Sequence, residues 1–136
     1  MSDCVFCKIV KGEIPSFKVR EDDSTLAFLD IHPVNPGHTI VIAKRHSRNI
    51  FDVLPEDWDA VTKSVRKLSG VIEKALDADG ININMNNREH AGQVVDHLHV
   101  HIIPRFKGDG FKLWHQSSYK DGEAVLVQEK ILAQLS

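Results

Sequence analysis

Histidine alternates with aliphatic residues from His97 to Ile102, with imidazoles at positions 97, 99 and 101. In an extended strand successive side chains point to opposite faces, so the three imidazoles share one face, roughly 6.6 Å apart along the strand. The pattern therefore predicts a strand whose other face is buried. Three close rings that titrate near pH 6.5 can share protons, bind a metal ion or act as neutral nucleophiles.

Two plainer interpretations of the histidine segment stay open at this point. The segment is either a solvent-facing side of a strand or a zinc site made of three histidines. The first fits poorly because the run is internal and bounded by apolar residues. The second fits poorly because neighbours on one straight strand rarely all reach one ion, and catalytic zinc draws its ligands from several elements.

Two strand-like segments, 25–31 and 39–43, flank the turn sequence Asn35-Pro36-Gly37. Pro55 opens the clearest helix, which Gly80 is expected to stop. Its apolar stripe repeats every three or four residues and consists of Trp58, Val61, Val65, Leu68, Ile72 and Leu76.

Further strands are predicted at 81–85 and at about 94–103, joined by a loop over 86–92 and ended by Pro104. An irregular segment around 111–114 and a short C-terminal helix within 123–135 complete the chain. The order favours an α+β fold with an antiparallel sheet of about five strands. A length of 136 residues predicts one domain, 1–136.

Composition excludes several classes of protein. The formal charge of −2 gives no positive field for nucleic acid or anionic lipid. The longest apolar runs are four residues, too short for a membrane span or a signal peptide, so we expect no membrane partner and a cytoplasmic location.

Cys4 and Cys7 form a Cys-x-x-Cys pair at the start of the chain. Such a pair is typical either of redox chemistry or of half a tetrahedral zinc site. Redox pairs usually begin a helix that follows a strand, and only three residues precede Cys4, so zinc is the preferred interpretation.

Several segments resemble the histidine triad superfamily in the family's own order. They are residues 4–15, 27–31, 35–39 and 91–93, followed by the signature His-x-His-x-His and two apolar residues at 97–103. The resemblance covers residues 4 to about 110. It implies a nucleotide hydrolase or transferase that acts at the α-phosphorus of a purine nucleotide derivative, either a dinucleoside polyphosphate or a nucleoside phosphoramidate.

The resemblance also implies roles for single residues. His97, His99 and His101 form the catalytic triad, with His99 as the nucleophile that carries a nucleotidyl intermediate and His101 beside the leaving group. The implied nucleotide-binding residues are Phe6, Ile9, Phe28, Ile31, Asp30 at the ribose, Asn86, Gly92, Gln93, Val94 and Val95. By the same resemblance, His38 is a further histidine near the active site that supports the residues in contact with the nucleotide.

In one branch of the superfamily the cysteine pair is completed by two histidines, which match His46 and His97. The resemblance thus implies one structural zinc ion per chain, held by Cys4, Cys7, His46 and His97. His32, His90 and His115 are taken as ordinary polar residues. The family is usually homodimeric, and Phe111 and Trp114 could reach the partner's site.

Val94 departs from the family pattern, because phosphoramidase members carry serine or threonine there and valine cannot hydrogen-bond a leaving group. The departure leaves the leaving group open. An alternative function is a nucleotide-binding regulatory module with little turnover, and a third is zinc-dependent hydrolysis at the triad.

Overall fold

The computed structural model describes residues 3–135. Its elements in chain order are α1 (Val5–Val10), β1 (Lys18–Glu21), β2 (Thr25–Leu29), β3 (Thr39–Ala43), α2 (Pro55–Leu76), β4 (Gly80–Asn84), β5 (His99–Arg105) and α3 (Glu123–Leu135). The five strands form one antiparallel sheet in the order β1-β2-β3-β5-β4. The predicted α+β fold class is confirmed.

Helix α2 covers one face of the sheet. Val61, Val65, Leu68 and Ile72 are buried on its inner side, as the spacing predicts. The expected stop at Gly80 is wrong: the helix ends at Leu76 because Asp77 takes a left-handed conformation with φ 53°. Gly80 instead begins β4.

The other face of the sheet carries α1 and the histidines. Phe6 and Ile9 of α1 pack with Phe28, Ile40 and Ile42 of the sheet. Ile40 and Ile42 pair with His101 and His99 on the neighbouring strand, so these imidazoles share the α1 side. On the opposite side of β5, Val100 and Ile102 lie with Leu98 in the core under α2, where each contributes about 1.5–3 kcal/mol by burial.

Strand β5 differs from its predicted bounds at both ends. It begins at His99 rather than near Val94, because the backbone N–H of Leu98 donates to the carbonyl of Ser47 outside the sheet. Pro104 does not end it. The carbonyl of Pro104 accepts from the Asn35 side chain on the β3 side, beyond the last β3 partner at Ile102, so the missing N–H costs no ladder bond.

Sequence patterns missed α1 and β1 and extended β2 too far. The expected strand over 25–31 ends at Leu29 because Asp30 begins a turn, in which its side chain accepts from the backbone N–H of His32 at 2.8 Å. Between residues 3 and 135, none of the helices has the length and apolar character required to cross a bilayer.

Candidate active site and metal centre

A cavity of about 520 Å³ lies between α1, the end of β2 and the histidine face of β5. The edge-to-face rings of Phe6 and Phe28, 5.5 Å apart, form part of its wall. The site residues expected from sequence that line it are Phe6, Ile9, Phe28, Asp30, Ile31, Gly92, Val94, Val95, His99 and His101. Its size and largely apolar wall suit a small organic ligand with a few polar anchors.

Several lining residues were not expected from sequence. They are Val5, Ile14, Pro15, Ser16, Leu29, His32 and Ile40. Recognition of α1 as a helix would have placed Val5 on the same face as Ile9, four residues later. The approach of residues 14–16 depends instead on the chain path after that helix. His32, which the sequence analysis treats as an ordinary polar residue, lines the cavity.

The two cysteines meet two histidines at the end of the triad segment. His97 Nδ1 lies 3.4 Å from Cys4 Sγ and 3.5 Å from Cys7 Sγ, and His46 Nδ1 lies 3.3 Å from Cys7 Sγ. All four ligand atoms lie within 4.8 Å of one another. Four side chains that the sequence separates by up to 93 positions therefore converge on one point, where they could hold a metal ion.

The chemistry of this donor set fits a tetrahedral metal. The buried His97 donates its Nε2 proton to the carbonyl of Ala43 at 2.7 Å, so Nδ1 carries the lone pair that faces the sulfurs. The two Nδ1 atoms lie 3.2 Å apart, and the three N···S separations given above are 3.3–3.5 Å, as for ligands that share one ion at about 2.0–2.3 Å. Burial and the neighbouring Cys4 raise the pKa of the Cys7 thiol, a cost that a divalent cation offsets.

His99 is oriented by the backbone of His97. Its Nδ1–H donates to the His97 carbonyl at 2.6 Å, and its Nε2 has no hydrogen-bond partner within residues 3–135. The neutral ring therefore keeps its lone pair on Nε2, at a residue that lines the cavity. This is the arrangement of an available nitrogen nucleophile.

His101 contacts His38 rather than the metal cluster. Nε2 of His38 lies 2.8 Å from Nδ1 of His101 and 3.6 Å from an oxygen of Asp30, while the backbone N–H of Val34 donates to Nδ1 of His38 at 3.0 Å. These three side chains form a second group of potential ligands. They do not suit a metal, because a neutral His38 that accepts at Nδ1 bears its proton on Nε2.

Burial favours the neutral form of every triad imidazole. It lowers the pKa of His97 and of His101 to about 4, helped at His97 by the neighbouring His46 and at His101 by His99 and His38. Burial also lowers the pKa of His99, against the opposing hydrogen bond to the His97 carbonyl. The histidine face is therefore uncharged at neutral pH.

The loop at 86–95 borders the cavity, and the side chain of Gln93 is engaged with its backbone. The amide accepts from Arg88 N–H at 2.7 Å and donates to the carbonyls of Arg48 at 2.6 Å and Val95 at 3.0 Å. Asn86 donates to the Gly92 carbonyl at 3.2 Å. Contact of Gln93 or Asn86 with a phosphate stays a prediction. In the structure, the hydrogen bonds of both side chains stabilise the conformation of the loop.

The neighbouring Arg88 has a backbone conformation that L-residues rarely adopt, with φ 74° and ψ 160°. Such strain costs of order 1–3 kcal/mol and persists where the surroundings enforce it. The hydrogen bond from Arg88 to Gln93 and the stacking of its guanidinium 4.2 Å above Phe51 supply that enforcement.

Solved structures of other proteins share this arrangement of elements. A protein from Streptococcus mutans UA159 is 42% identical with a TM-score of 0.93, covering 100% of this chain and 87% of that one. A Zn-bound histidine triad family protein from Mycobacterium smegmatis is 35% identical with a TM-score of 0.78, covering 98% and 96%.

Two curated relatives have named activities. Adenylylsulfatase HINT3 of Arabidopsis thaliana is 41% identical over 128 residues, which is 94% of this chain and 64% of that protein. Adenosine 5'-monophosphoramidase HNT1 of Candida albicans is 40% identical over 109 residues, 76% of this chain and 71% of that protein. The HIT domain profile matches residues 11–108. Together with the histidine face, this match shows that the chain belongs to the HIT family of nucleotide-binding and nucleotide-hydrolysing proteins.

Proposed function

We propose that this protein hydrolyses purine nucleotide derivatives at the α-phosphorus through a covalent nucleotidyl intermediate on His99, and releases a nucleoside monophosphate. The observation that carries the proposal is the 2.6 Å hydrogen bond from His99 Nδ1 to the His97 carbonyl. It leaves the lone pair on Nε2, at the cavity, in a ring whose pKa burial keeps below its ordinary value.

The reaction takes two balanced displacements. The Nε2 lone pair forms a bond to phosphorus, and the bond to the leaving group breaks with its electron pair on the leaving atom. The imidazolium of the intermediate keeps its proton on Nδ1, from which it donates to the His97 carbonyl. Water then attacks phosphorus, the P–N pair returns to Nε2, and one water proton passes to the solvent. Covalent catalysis thereby divides one difficult displacement into two easier steps.

The cavity supplies the orientation of the nucleoside. Phe6, Phe28 and Ile9 offer an apolar wall for a base, and the Asp30 carboxylate accepts from ribose hydroxyls with the capacity that His32 N–H leaves free. The loop at 92–95 brings backbone groups to the phosphate end, where Gly92 at φ 95° lets the main chain approach.

The metal centre fits zinc and is structural in this proposal. Cys4, Cys7, His46 and His97 form a closed set of two thiolates and two imidazoles, which leaves no position for substrate. When bound, zinc fixes the start of β5 and with it the carbonyl that orients His99. The Zn-bound relative from Mycobacterium smegmatis supports this assignment.

A second copy of the chain and a cytoplasmic location complete the proposal. Strand β4 is an edge strand of the sheet, and its residue Ile83 is half exposed. Helix α3 has no buried residue. Pairing of β4 with its counterpart would cover such an edge. Light scattering should give the mass of a dimer.

The cytoplasmic location is supported by the two cysteines. A pair of free thiols that ligate zinc is stable in a reducing compartment.

The test uses adenylyl sulfate and adenosine 5'-phosphoramidate, with AMP release followed by chromatography. Wild-type protein and the control His115→Ala should turn over at least one substrate, while His99→Ala should lose about three orders of magnitude or more. Mass spectrometry of a base-quenched reaction should show a nucleotidyl adduct on the wild-type chain alone. AMP binding without turnover or adduct would overturn the proposal in favour of a nucleotide-binding module.

A further inference from the structure

The two cysteines are close enough to bond to each other. Cys4 directly precedes α1, Cys7 lies in its first turn, and both are free thiols. Sγ of Cys4 accepts from the backbone N–H of Cys7 at 3.4 Å, and the two sulfurs lie within 4.8 Å of each other. One helical turn separates Cα atoms by about 5 Å, inside the range of roughly 4.4–6.8 Å that a disulfide spans. A disulfide can therefore form without refolding of α1.

A second cavity, of about 400 Å³, lies beside Cys4. Its wall also contains His46 and residues 94–96. Among the residues that the structure describes, Cys7 does not line this cavity. A small solute in the cavity is therefore brought to Cys4 rather than to Cys7.

Metal ligation and oxidation compete for the same two sulfurs. The thiolate is both the form that ligates a metal and the form that attacks an oxidant, so a sulfur held in a disulfide is lost as a thiolate ligand. In reducing compartments, cysteine pairs that do form disulfides are usually transient and act as catalysts or sensors. The pair can thus exist either as metal ligands or as a disulfide, according to the supply of oxidant.

We propose that Cys4 and Cys7 form a reversible oxidation site for hydrogen peroxide, at which Cys4 reacts first, Cys7 closes the disulfide, and α1 loses its link through the metal centre to the start of β5. The proposal rests on the metal centre assigned above and is independent of the hydrolytic reaction.

The oxidation consumes one peroxide molecule and two protons. A lone pair of the Cys4 thiolate bonds to a peroxide oxygen, the O–O bond breaks, and the departing hydroxide takes a proton to become water. Cys4 is then a sulfenic acid. The Cys7 thiolate bonds to the Cys4 sulfur, the S–O bond breaks, and the second hydroxide also becomes water. The two electrons lost by the sulfurs are gained by the peroxide, and a dithiol reverses the change by exchange.

Oxidation replaces a long-range link with a local one. The contacts of Cys7 with His46 and of Cys4 with His97 join residues 39 and 93 positions apart. A disulfide from Cys4 to Cys7 closes a single turn, and the stabilisation from a cross-link grows with the length of chain that it closes. In the oxidised chain, α1 therefore depends on the apolar packing of Phe6 against the sheet.

Phe6 connects this change to the nucleotide cavity. Its ring centroid lies 5.1 Å from that of His99 and 5.5 Å from that of Phe28. Because Phe6 lies between the two cysteines in the sequence, a shift of this part of α1 moves the cavity wall. We expect the oxidised chain to melt at a lower temperature and to bind AMP about three- to tenfold more weakly, as for the loss of one aromatic contact.

The direct test treats reduced wild-type protein, freed of reductant, with hydrogen peroxide. The chain has only two cysteines, so intact mass spectrometry identifies the product. We expect a loss of two hydrogen atoms, release of zinc to a chromogenic chelator at the same rate, and recovery of both states with dithiothreitol and zinc. A chain that keeps its zinc and free thiols in excess peroxide would overturn the proposal, as would irreversible addition of oxygen or a disulfide between two chains.

The order of attack is tested with two variants that each retain one thiol and lack one metal ligand. Dimedone, which traps sulfenic acids, should label peroxide-treated Cys7→Ser about tenfold faster than Cys4→Ser, because Cys4 lines the cavity. Equal labelling, or faster labelling of Cys4→Ser, would refute Cys4 as the first site. If either variant fails to fold, alkylation rates of the two cysteines in chelator-treated wild type, resolved by peptide mapping, give the same comparison.

The effect on α1 is measured by calorimetric titration of AMP into reduced and fully oxidised wild type. An oxidised chain with the AMP affinity and melting temperature of the reduced chain would show that the disulfide does not release α1. These measurements require no turnover, so they stand apart from the test of hydrolysis. A protein that oxidises as expected but cleaves neither adenylate would refute the proposed hydrolysis alone.

Discussion

Nδ1 of His99 lies 2.6 Å from the carbonyl oxygen of His97, so the proposed nucleophile is held by the backbone of a residue whose own ring faces two cysteines. One residue therefore links the metal centre to the reacting nitrogen. Any shift of His97 moves the carbonyl that fixes the tautomer of His99.

This linkage predicts the effect of removing the metal. Cys7→Ser should reduce zinc from about one ion per chain to a small fraction, and should lower the melting temperature by about 10 °C or more, because structural zinc contributes directly to folding. Elemental analysis and calorimetry measure the two effects. His115→Ala serves as control. A Cys7→Ser chain that retains full zinc and stability would contradict the assigned ligands.

Asp30 is predicted to act on nucleoside binding. Asp30→Asn should raise KM about 10- to 100-fold, since hydrogen bonds to a charged group contribute about 1.5–3 kcal/mol. A 2',3'-dideoxy substrate serves as the internal control. It should bind wild type poorly and lose little more in the variant, so the two changes are not additive. Additive losses would place the effect elsewhere, for instance on His38, 3.6 Å from the carboxylate.

Gln93 is predicted to stabilise the loop. Gln93→Ala removes partners from the Arg88 N–H and from the Arg48 and Val95 carbonyls, which should lower the free energy of unfolding by about 1–2 kcal/mol. Urea unfolding measures this change. A variant with unchanged stability but a much reduced rate would instead support direct contact of the amide with phosphate.

Acid should weaken the fold before it protonates the buried histidines. Burial lowers the pKa of His101 from 6.5 to about 4, so between these values the unfolded chain binds a proton that the folded chain does not. The free energy of unfolding should be insensitive to this group above pH 6.5 and fall from pH 6.5 toward 4. In excess zinc, the pH dependence should be shallower in His101→Gln. Identical slopes would contradict the burial argument.

The histidine face was predictable because it depends on a local period of two. The α2 stripe was predictable for the same kind of reason, and in both the residues that share a face are neighbours along one element. The family resemblance added the pairing of Cys4 with His97, which no local pattern implies across 93 positions. That convergence arises from the path of α1 over the sheet.

The bounds of β5 and the tasks of Gln93 and His38 could not be predicted from local patterns. Proline normally ends a strand. Pro104 is tolerated here because β3 does not extend to it and the Asn35 side chain donates to its carbonyl. The proton on His38 depends on one backbone amide at Val34. Such features depend on where loops meet after folding.

The position of β5 between β3 and β4 has a consequence for errors in assembly. Slippage of its pairing by one residue would turn His99 and His101 toward α2 and expose Val100 and Ile102 to the cavity. Such a chain would lose both its core and its reactive nitrogen at once. A misaligned molecule is therefore unstable. The fraction of a purified sample that unfolds at the native melting temperature should equal the fraction that is active.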